Sequence, residues 1–528
     1  MAFNLSSTDY KSLYASDSDA LKQWLPLAAT VVLICLSVTW FGLVYQKTKH
    51  PLANPPHLFQ LRLFKQIDFL RNGVEILMQA KKKYAGEPFR MINELGELLV
   101  LPPSHVQLMR NEEKLSFSKA ILTDFHGHNP GFEPFGLFAH DDRLAQTVIR
   151  KQLTRTLNTV TQPLSSETTF AVETIFGNSP DWKDVRIKDS LLDLVARISS
   201  RVFLGDALCR NEDWLKITKD YTVDAFKSAT KMTIVPYPLR FLLRWFSKDF
   251  ALVSREYNLA KEIITPVIER RRELKAEARS KGENVPAYND AIDWVESESQ
   301  GRPYDPAAFQ LLLSFAAIHT TTDLLCQTLL LLSNEPELIA PLRDEIINVL
   351  RVEGWKKSAL FNMKLLDSAI KEAQRIKPNG LTGMRRLATQ TVELSNNITI
   401  HKGDRVMVDA TSMLDPTIYP EPEKFDIYRF LHLRERADFA SKAQLVATSP
   451  EHLSFGHGMH ACPGRFFAAN EVKIALCHLL LKYDWKLSPA TASIKPVVHG
   501  VSMVVNPENR LMFRRRKEEI DLESLEFN

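Results

Sequence analysis

Cysteine is scarce in this chain, with five among 528 residues. Cys35, Cys209, Cys326, Cys462 and Cys477 are scattered, odd in number and without a Cys-x-x-Cys pair. That excludes a disulfide framework and the spacings of zinc sites or c-type haem attachment. A reducing compartment fits this usage. An excess of one charge is also missing: 67 lysines and arginines against 63 aspartates and glutamates leave +4, too little for the concentrated basic surface that nucleic-acid binding needs. No glycine-rich flavin or nicotinamide fingerprint follows a strand, so redox chemistry here would need electrons from outside. Repeats, low-complexity tracts and a second linker are lacking as well. What remains, 45% hydrophobic and 25% charged residues, suffices for one large buried core.

One long apolar run is present. From Trp24 to Tyr45 no charged residue occurs, close to the roughly 20 residues that cross a bilayer as a helix. A cleaved signal peptide has a shorter apolar region, about 7–15 residues, behind a basic start, whereas this run follows Asp9, Asp17 and Asp19. Lys47, Lys49, Arg62 and Lys65 come after it, which puts the body of the chain in the cytosol. The expected order is a lumenal tail over 1–23, a membrane helix over 24–45, a hinge over 46–58 stiffened by Pro51, Pro55 and Pro56, and one globular body over 59–528. Asn4-Leu5-Ser6 is then a lumenal glycosylation acceptor.

Helical periodicity dominates the body, with β-type runs at 391–400 and 405–408 and a polar, exposed loop at 276–287. The expected fold class is mainly α with small β-sheets. Residues 306–333 read as a long helix capped by Asp305, opened by Pro306 and closed by Asn334-Glu335-Pro336. Its apolar residues surround the axis, while Gln310, His319, Thr320, Thr321, Thr322, Asp323 and Gln327 would be costly against lipid, so the helix belongs in a protein core.

Three motifs carry chemistry. The first is Phe455-Gly456-His457-Gly458-Met459-His460-Ala461-Cys462-Pro463-Gly464, entering a helix near Arg465. A lone cysteine is usually a small buried hydrophobe, but here glycines permit a loop pressed against a flat group. A helix start also favours thiolate over thiol. Pro463 has no N–H, so donors to sulfur come from later residues, Gly464 included. The second is Glu372-Ala373-Gln374-Arg375, whose i, i+3 spacing sets acid and base on one helical face, followed by Phe425-Asp426-Ile427-Tyr428-Arg429-Phe430. The third is Ala316-Ala317-Ile318-His319-Thr320-Thr321 inside the long helix, where a threonine would by default bond back to a preceding carbonyl.

Together these resemble the cytochrome P-450 superfamily: its Phe-x-x-Gly-x-x-x-Cys-x-Gly haem signature, its Glu-x-x-Arg helix and its oxygen-activation segment. Arg197-Ile198-Ser199-Ser200-Arg201-Val202-Phe203-Leu204-Gly205 looks like a segment of fungal members of the ent-kaurene-oxidase-like type. The resemblance implies a haem-thiolate monooxygenase behind one N-terminal transmembrane helix, with haem b iron held by Cys462. Phe455 would pack beside the cysteine and limit water, Gly458 and Gly464 would belong to the loop against the haem, and His460, Arg150 and Arg386 would meet its propionates, with Arg385 the rival of Arg386. It implies that Glu372, Arg375 and Arg429 form an ion-pair network, and that Thr320 relays protons. His319 stands where the family has an acid; it or Asp323, one turn onward, would assist the relay, the alternative for either being a surface-channel or packing residue. Phe125, Phe138, Ala316, Ala317, Leu381, Thr382, Val501 and Ser502 would line the substrate site.

Further implications are O2 and NADPH as co-substrates, electrons from NADPH-cytochrome P-450 reductase with cytochrome b5 as a second donor, and an endoplasmic reticulum membrane location. The substrate class implied is an apolar small molecule, a terpenoid-type secondary metabolite. Two alternatives stay open: a haem-thiolate isomerase or dehydratase, which would turn over without a reductase, and a haem ligand-binding protein, which would make no product.

Overall fold

The computed structural model describes residues 30–32, 34, 50–139, 144–235, 239–240, 243, 246–395, 398–491 and 494–526. The expected tail over 1–23 lies outside the described residues. Of the expected span over 24–45 only Thr30, Val31, Val32 and Ile34 are described, as helix. The expected hinge is described from His50, and part of it is fixed: the Ala53 N–H donates to the Arg90 carbonyl at 2.8 Å and the Arg90 N–H to the Pro51 carbonyl at 2.8 Å. Asn54 exchanges two side-chain bonds with the Ile92 backbone.

From Pro51 onward the chain is mainly helical. The principal helices are α1 (Arg62–Tyr84), α2 (Phe117–Asp124), α3 (Leu157–Phe176), α4 (Ile187–Leu204), α5 (Glu212–Ile234), α6 (Lys248–Lys281), α7 (Ala291–Ser299), α8 (Pro306–Asn334), α9 (Ile339–Glu353), α10 (Lys364–Ile376) and α11 (Arg465–Lys482). The strands are β1 (Phe89–Asn93), β2 (Gly96–Leu101), β3 (Leu115–Ser116), β4 (Lys183–Arg186), β5 (Thr382–Ala388), β6 (Val392–Ser395), β7 (Ile398–Ile400), β8 (Arg405–Asp409), β9 (Tyr483–Leu487), β10 (Val497–His499), β11 (Ser502–Val504) and β12 (Arg510–Arg515). The largest sheet has the order β1-β2-β8-β5-β3, beside a three-stranded sheet β4-β12-β9 and the two-stranded pairs β10-β11 and β6-β7.

Helix α8 forms as the sequence dictates. The Asp305 carboxylate accepts the Ala308 N–H at 2.9 Å and Pro306 occupies the first turn. Among the described residues it is the one helix long and apolar enough to cross a bilayer, yet it is buried against α4, α6 and α10. It is a core helix, and it forms the axis around which the other walls assemble.

Two local expectations need correcting. The loop expected over 276–287 begins only at Gly282, whose φ of 67° ends α6 after a charged last turn that i, i+4 pairing of Lys281 with Glu277 helps to hold. The run over 391–400 is two strands, β6 and β7, rather than one.

Candidate active site

A cavity of about 420 Å³ lies between the middle of α8, the start of β5 and the loop before α11. Cys462 is on its floor. The loop that presents this cysteine is held from several sides. The buried Lys371 ammonium on α10 donates to the carbonyls of Lys442, Gln444 and Ala447 at 2.9, 2.7 and 3.2 Å. Arg465 donates to the Val446 carbonyl at 3.1 Å and to the Cys462 carbonyl at 2.8 Å. The Cys462 N–H donates to the Phe455 carbonyl at 2.8 Å, which closes the loop on itself.

Burial pushes the Cys462 thiol up from its ordinary range, and this is opposed by backbone N–H groups of Gly464 and Arg465 aimed at the sulfur and by the Arg465 guanidinium. A cation bound to the sulfur would decide the balance in favour of thiolate.

The glycines of the loop have separate reasons. Gly456 holds a φ of 65°. Gly458 does not line the cavity: a Cβ there would lie 2.4 Å from the Arg110 carbonyl oxygen. Its smallness lets the loop pack on Arg110. Phe455, His460 and Gly464 do line the cavity, as do Phe138, Ala316, Ala317 and Thr382.

The other expected lining residues are elsewhere. Phe125 stacks on Phe135 at 4.5 Å in a phenylalanine cluster with Phe226 and Phe315. Leu381 packs into a separate apolar cluster with α1, and its N–H donates to the Val501 carbonyl. Ser502 is bridged to Gly380. Phe117, Phe203, Met407, Leu453 and Phe467 were not anticipated as cavity walls. Leu453 and Phe467 flank the cysteine loop in sequence, which is a usable signal; Phe203 and Met407 come from remote elements and carry none.

On α8, Thr320 faces the cavity, its hydroxyl donating to the Ala316 carbonyl at 3.0 Å. His319 turns the other way and bonds through Nε2 to the Lys219 carbonyl on α5 at 3.1 Å; burial pulls its pKa down. Asp323 is also turned away, ion-paired to Lys377 and accepting the Val505 N–H at 2.7 Å. Neither lines the cavity beside Thr320; both are engaged in packing contacts, the alternative left open for them.

Arg385 and Arg386 both border the cavity because a bulge between Gly383 and Arg386, with Met384 at a φ of 52°, breaks the alternation of β5. Arg385 is drawn to the buried Asp124 carboxylate at 3.5 Å, which Arg405 shares at 2.9 Å. Arg386 is 2% exposed, and its Nε and Nη2 have no hydrogen-bond partner among the described residues. Burial pushes its pKa down to about 10. Arg150 lies outside the cavity, exposed and donating to the Met459 carbonyl at 2.6 Å.

These features fit a haem. A buried sulfur beside two backbone donors suits an iron ligand, and a buried guanidinium with two unused donors suits a propionate. The rest of the wall is mostly apolar. Arg386→Leu is therefore expected to act with opposite signs on two states. Without haem, removing an uncompensated buried cation stabilises the fold; with haem, losing a charge-assisted bond of about 1.5–3 kcal/mol speeds haem release about 10–100-fold. Transfer of haem to a haem-free acceptor globin measures the second effect, and an unchanged release rate would remove Arg386 from the site.

Glu372, Arg375 and Arg429 come together behind the cavity. Arg375 forks onto Glu372 at 2.7 and 2.8 Å, and Arg429 Nε reaches the same carboxylate at 2.9 Å, with Ile427-Tyr428 immediately before it.

The family model described as Cytochrome P450 matches residues 53–514. The chain is similar to "Cytochrome P450 monooxygenase hepE" of Aspergillus oryzae, 44% identical with 92% of this chain and 90% of that protein covered. It is also similar to "Cytochrome P450 monooygenase 1" of Gibberella fujikuroi, 45% identical over 82% of this chain and 99% of that one. Among solved structures, "Retinoic acid bound cyanobacterial CYP120A1" superposes with a TM-score of 0.66 at 20% identity, covering 89% of this chain and 100% of that chain, and so shares the fold.

Proposed function

This chain belongs to the cytochrome P450 family and is a haem monooxygenase, and we propose that it is anchored in the endoplasmic reticulum membrane, takes electrons from NADPH through a flavoprotein reductase and oxidises an apolar, terpenoid-type small molecule. The net reaction is RH + O2 + NADPH + H+ giving ROH + H2O + NADP+.

The observation that carries this reading is a mostly apolar cavity with the Cys462 sulfur on its floor and the Thr320 hydroxyl on its wall. Haem bound there supplies the activation of dioxygen, which an electron-donating thiolate ligand promotes. The chain's own groups do the rest. Ala316, Ala317 and Leu453 offer contacts that hold an apolar substrate and exclude water. The Thr320 hydroxyl donates a hydrogen bond to the Ala316 carbonyl, which leaves its lone pairs free to accept a hydrogen bond; after rotation toward the cavity it can release its own proton there as it takes up another from the donor behind it, ending as the same neutral hydroxyl.

Three further observations support the cellular setting. The uncharged run over 24–45 has the length of a membrane helix. Leu58 and Phe59 are 86% and 95% exposed, with Leu61 and Phe64 also exposed, an apolar surface suited to a bilayer. The exposed Arg150 puts positive charge beside the cysteine loop, where an acidic reductase surface would dock with a salt-sensitive rate.

Metabolites of a host expressing this chain with a reductase, compared with the host alone, test the reading. An oxygenated terpenoid-type product that requires NADPH and the reductase is expected. Thr320→Ala should cut product formation about 100–10,000-fold, the range for one proton-transfer group, while peroxide rises. Turnover without any electron donor would replace this reading with an isomerase or dehydratase. A glycan on Asn4 reports the proposed orientation.

A further inference from the structure

Asp323 is a buried carboxylate in the middle of α8, 5% exposed, with both oxygens engaged. Oδ1 accepts the Val505 N–H at 2.7 Å and Oδ2 pairs with Lys377, itself 4% exposed. Each partner belongs to a different segment. Lys377 directly precedes Pro378, Asn379 and Gly380, which line the cavity. Val505 directly follows β11, and its carbonyl accepts from Lys188 on α4 at 3.2 Å.

These two segments are also bonded to each other. The Leu381 N–H donates to the Val501 carbonyl at 2.9 Å and the Met503 N–H to the Asn379 carbonyl at 3.0 Å. One side chain on α8 thus ties the 377–381 stretch and the 501–505 stretch to the helix that carries Thr320.

We infer that Asp323 is a positioning residue for substrate, fixing the wall at Pro378–Gly380 and the C-terminal strand behind it against α8, and is not a proton donor to the reaction. This rests on the cavity above Cys462 being the substrate site. A buried ion pair that loses one partner leaves an uncompensated charge, and a buried N–H that loses its acceptor is costly, so the wall moves when Asp323 goes. The carboxylate serves as an acceptor and a counter-charge, and neither role requires it to gain or lose a proton.

The test uses two ligands of haem iron with the purified, haem-loaded full chain. Imidazole touches little beyond the metal; clotrimazole also presses on the cavity wall. Asp323→Ala should weaken spectrally titrated clotrimazole binding about tenfold or more, leave imidazole binding within about twofold and leave the carbon-monoxide band intact. Asp323→Asn combined with Lys377→Met restores an acceptor for Val505 and removes the orphan cation, so it should return clotrimazole binding and turnover close to wild type.

A carboxylate that relays protons could not be replaced by that amide, and an inactive double variant with normal clotrimazole binding would overturn the inference. Equal clotrimazole affinity in wild type and Asp323→Ala would do the same, as would parallel loss of both ligands. Where Asp323→Ala folds poorly, amide exchange at Val505 in the double variant and in Asp323→Asn gives the same comparison: fast in neither if the acceptor is what matters. Failure of the underlying reading looks different, as wild-type protein that binds imidazole but shows no response to clotrimazole.

Discussion

Cys462→Ala removes the carbon-monoxide absorption band of thiolate ligation and abolishes turnover. The reason is the geometry of the loop. The Cys462 N–H donates to the Phe455 carbonyl at 2.8 Å, and the Arg465 guanidinium donates to the Cys462 carbonyl at 2.8 Å. Both bonds are backbone features that alanine keeps. The substitution therefore deletes one sulfur and little else, and the variant should fold. Cys209, Cys326 and Cys477 are buried away from the cavity, with burial pushing each thiol up. None of them can substitute for the missing ligand. A reduced, carbon-monoxide-treated sample of the variant that still shows the thiolate band would place the iron ligand elsewhere and dismantle the site.

Glu372→Gln is the second large effect, and it acts on the fold. Glu372 and Arg375 are fully buried, and Arg429 is nearly so. Two guanidiniums share one carboxylate, and their remaining donors go to backbone carbonyls. Arg375 reaches Met413 at 2.7 Å and Pro422 at 2.6 Å; Arg429 reaches Pro420 at 2.6 Å. The amide keeps the shape and removes the carboxylate that, among the described residues, is shared by both cations. Breaking a buried pair in this way costs about 3–5 kcal/mol, a large part of the roughly 5–15 kcal/mol that holds a domain together. The variant should accumulate as haem-poor, thermally weakened protein, read as haem per polypeptide and as a lowered Tm. Full haem content at an unchanged Tm would show that the network is dispensable.

Those two residues were legible because their signals are local. The cysteine loop is ten consecutive residues, and Glu372 with Arg375 needs only i, i+3 spacing on a helix. Arg429, 57 residues further along, reaches Glu372 at 2.9 Å while its Nη1 holds the Pro420 carbonyl of the segment before it. Helix α8 was equally readable from Asp305, Pro306 and the apolar run.

Facing was harder. His319, Thr320 and Asp323 share one helix, and the sequence gives no datum for which way that helix is turned. The packing partner decides: α5 takes His319 through the Lys219 carbonyl, and Val505, 182 residues away in sequence, takes Asp323. Arg385 and Arg386 posed the same problem. Strand alternation would put one of them outside, but the bulge and the positive φ of Met384 bring both to the cavity, and only Asp124 distinguishes them. The closeness of Gly458 to Arg110 likewise appears only once the chain is folded.

By itself the sequence determined the helical class, the cysteine at the floor of the site, the buried acid with the arginine one turn on and the threonine-bearing core helix, because each is encoded in a short contiguous spacing or periodicity. The tertiary structure alone decided which polar groups face the cavity and which are occupied elsewhere. That choice depends on contacts between segments far apart in the chain, where a buried polar group goes to whichever partner satisfies it.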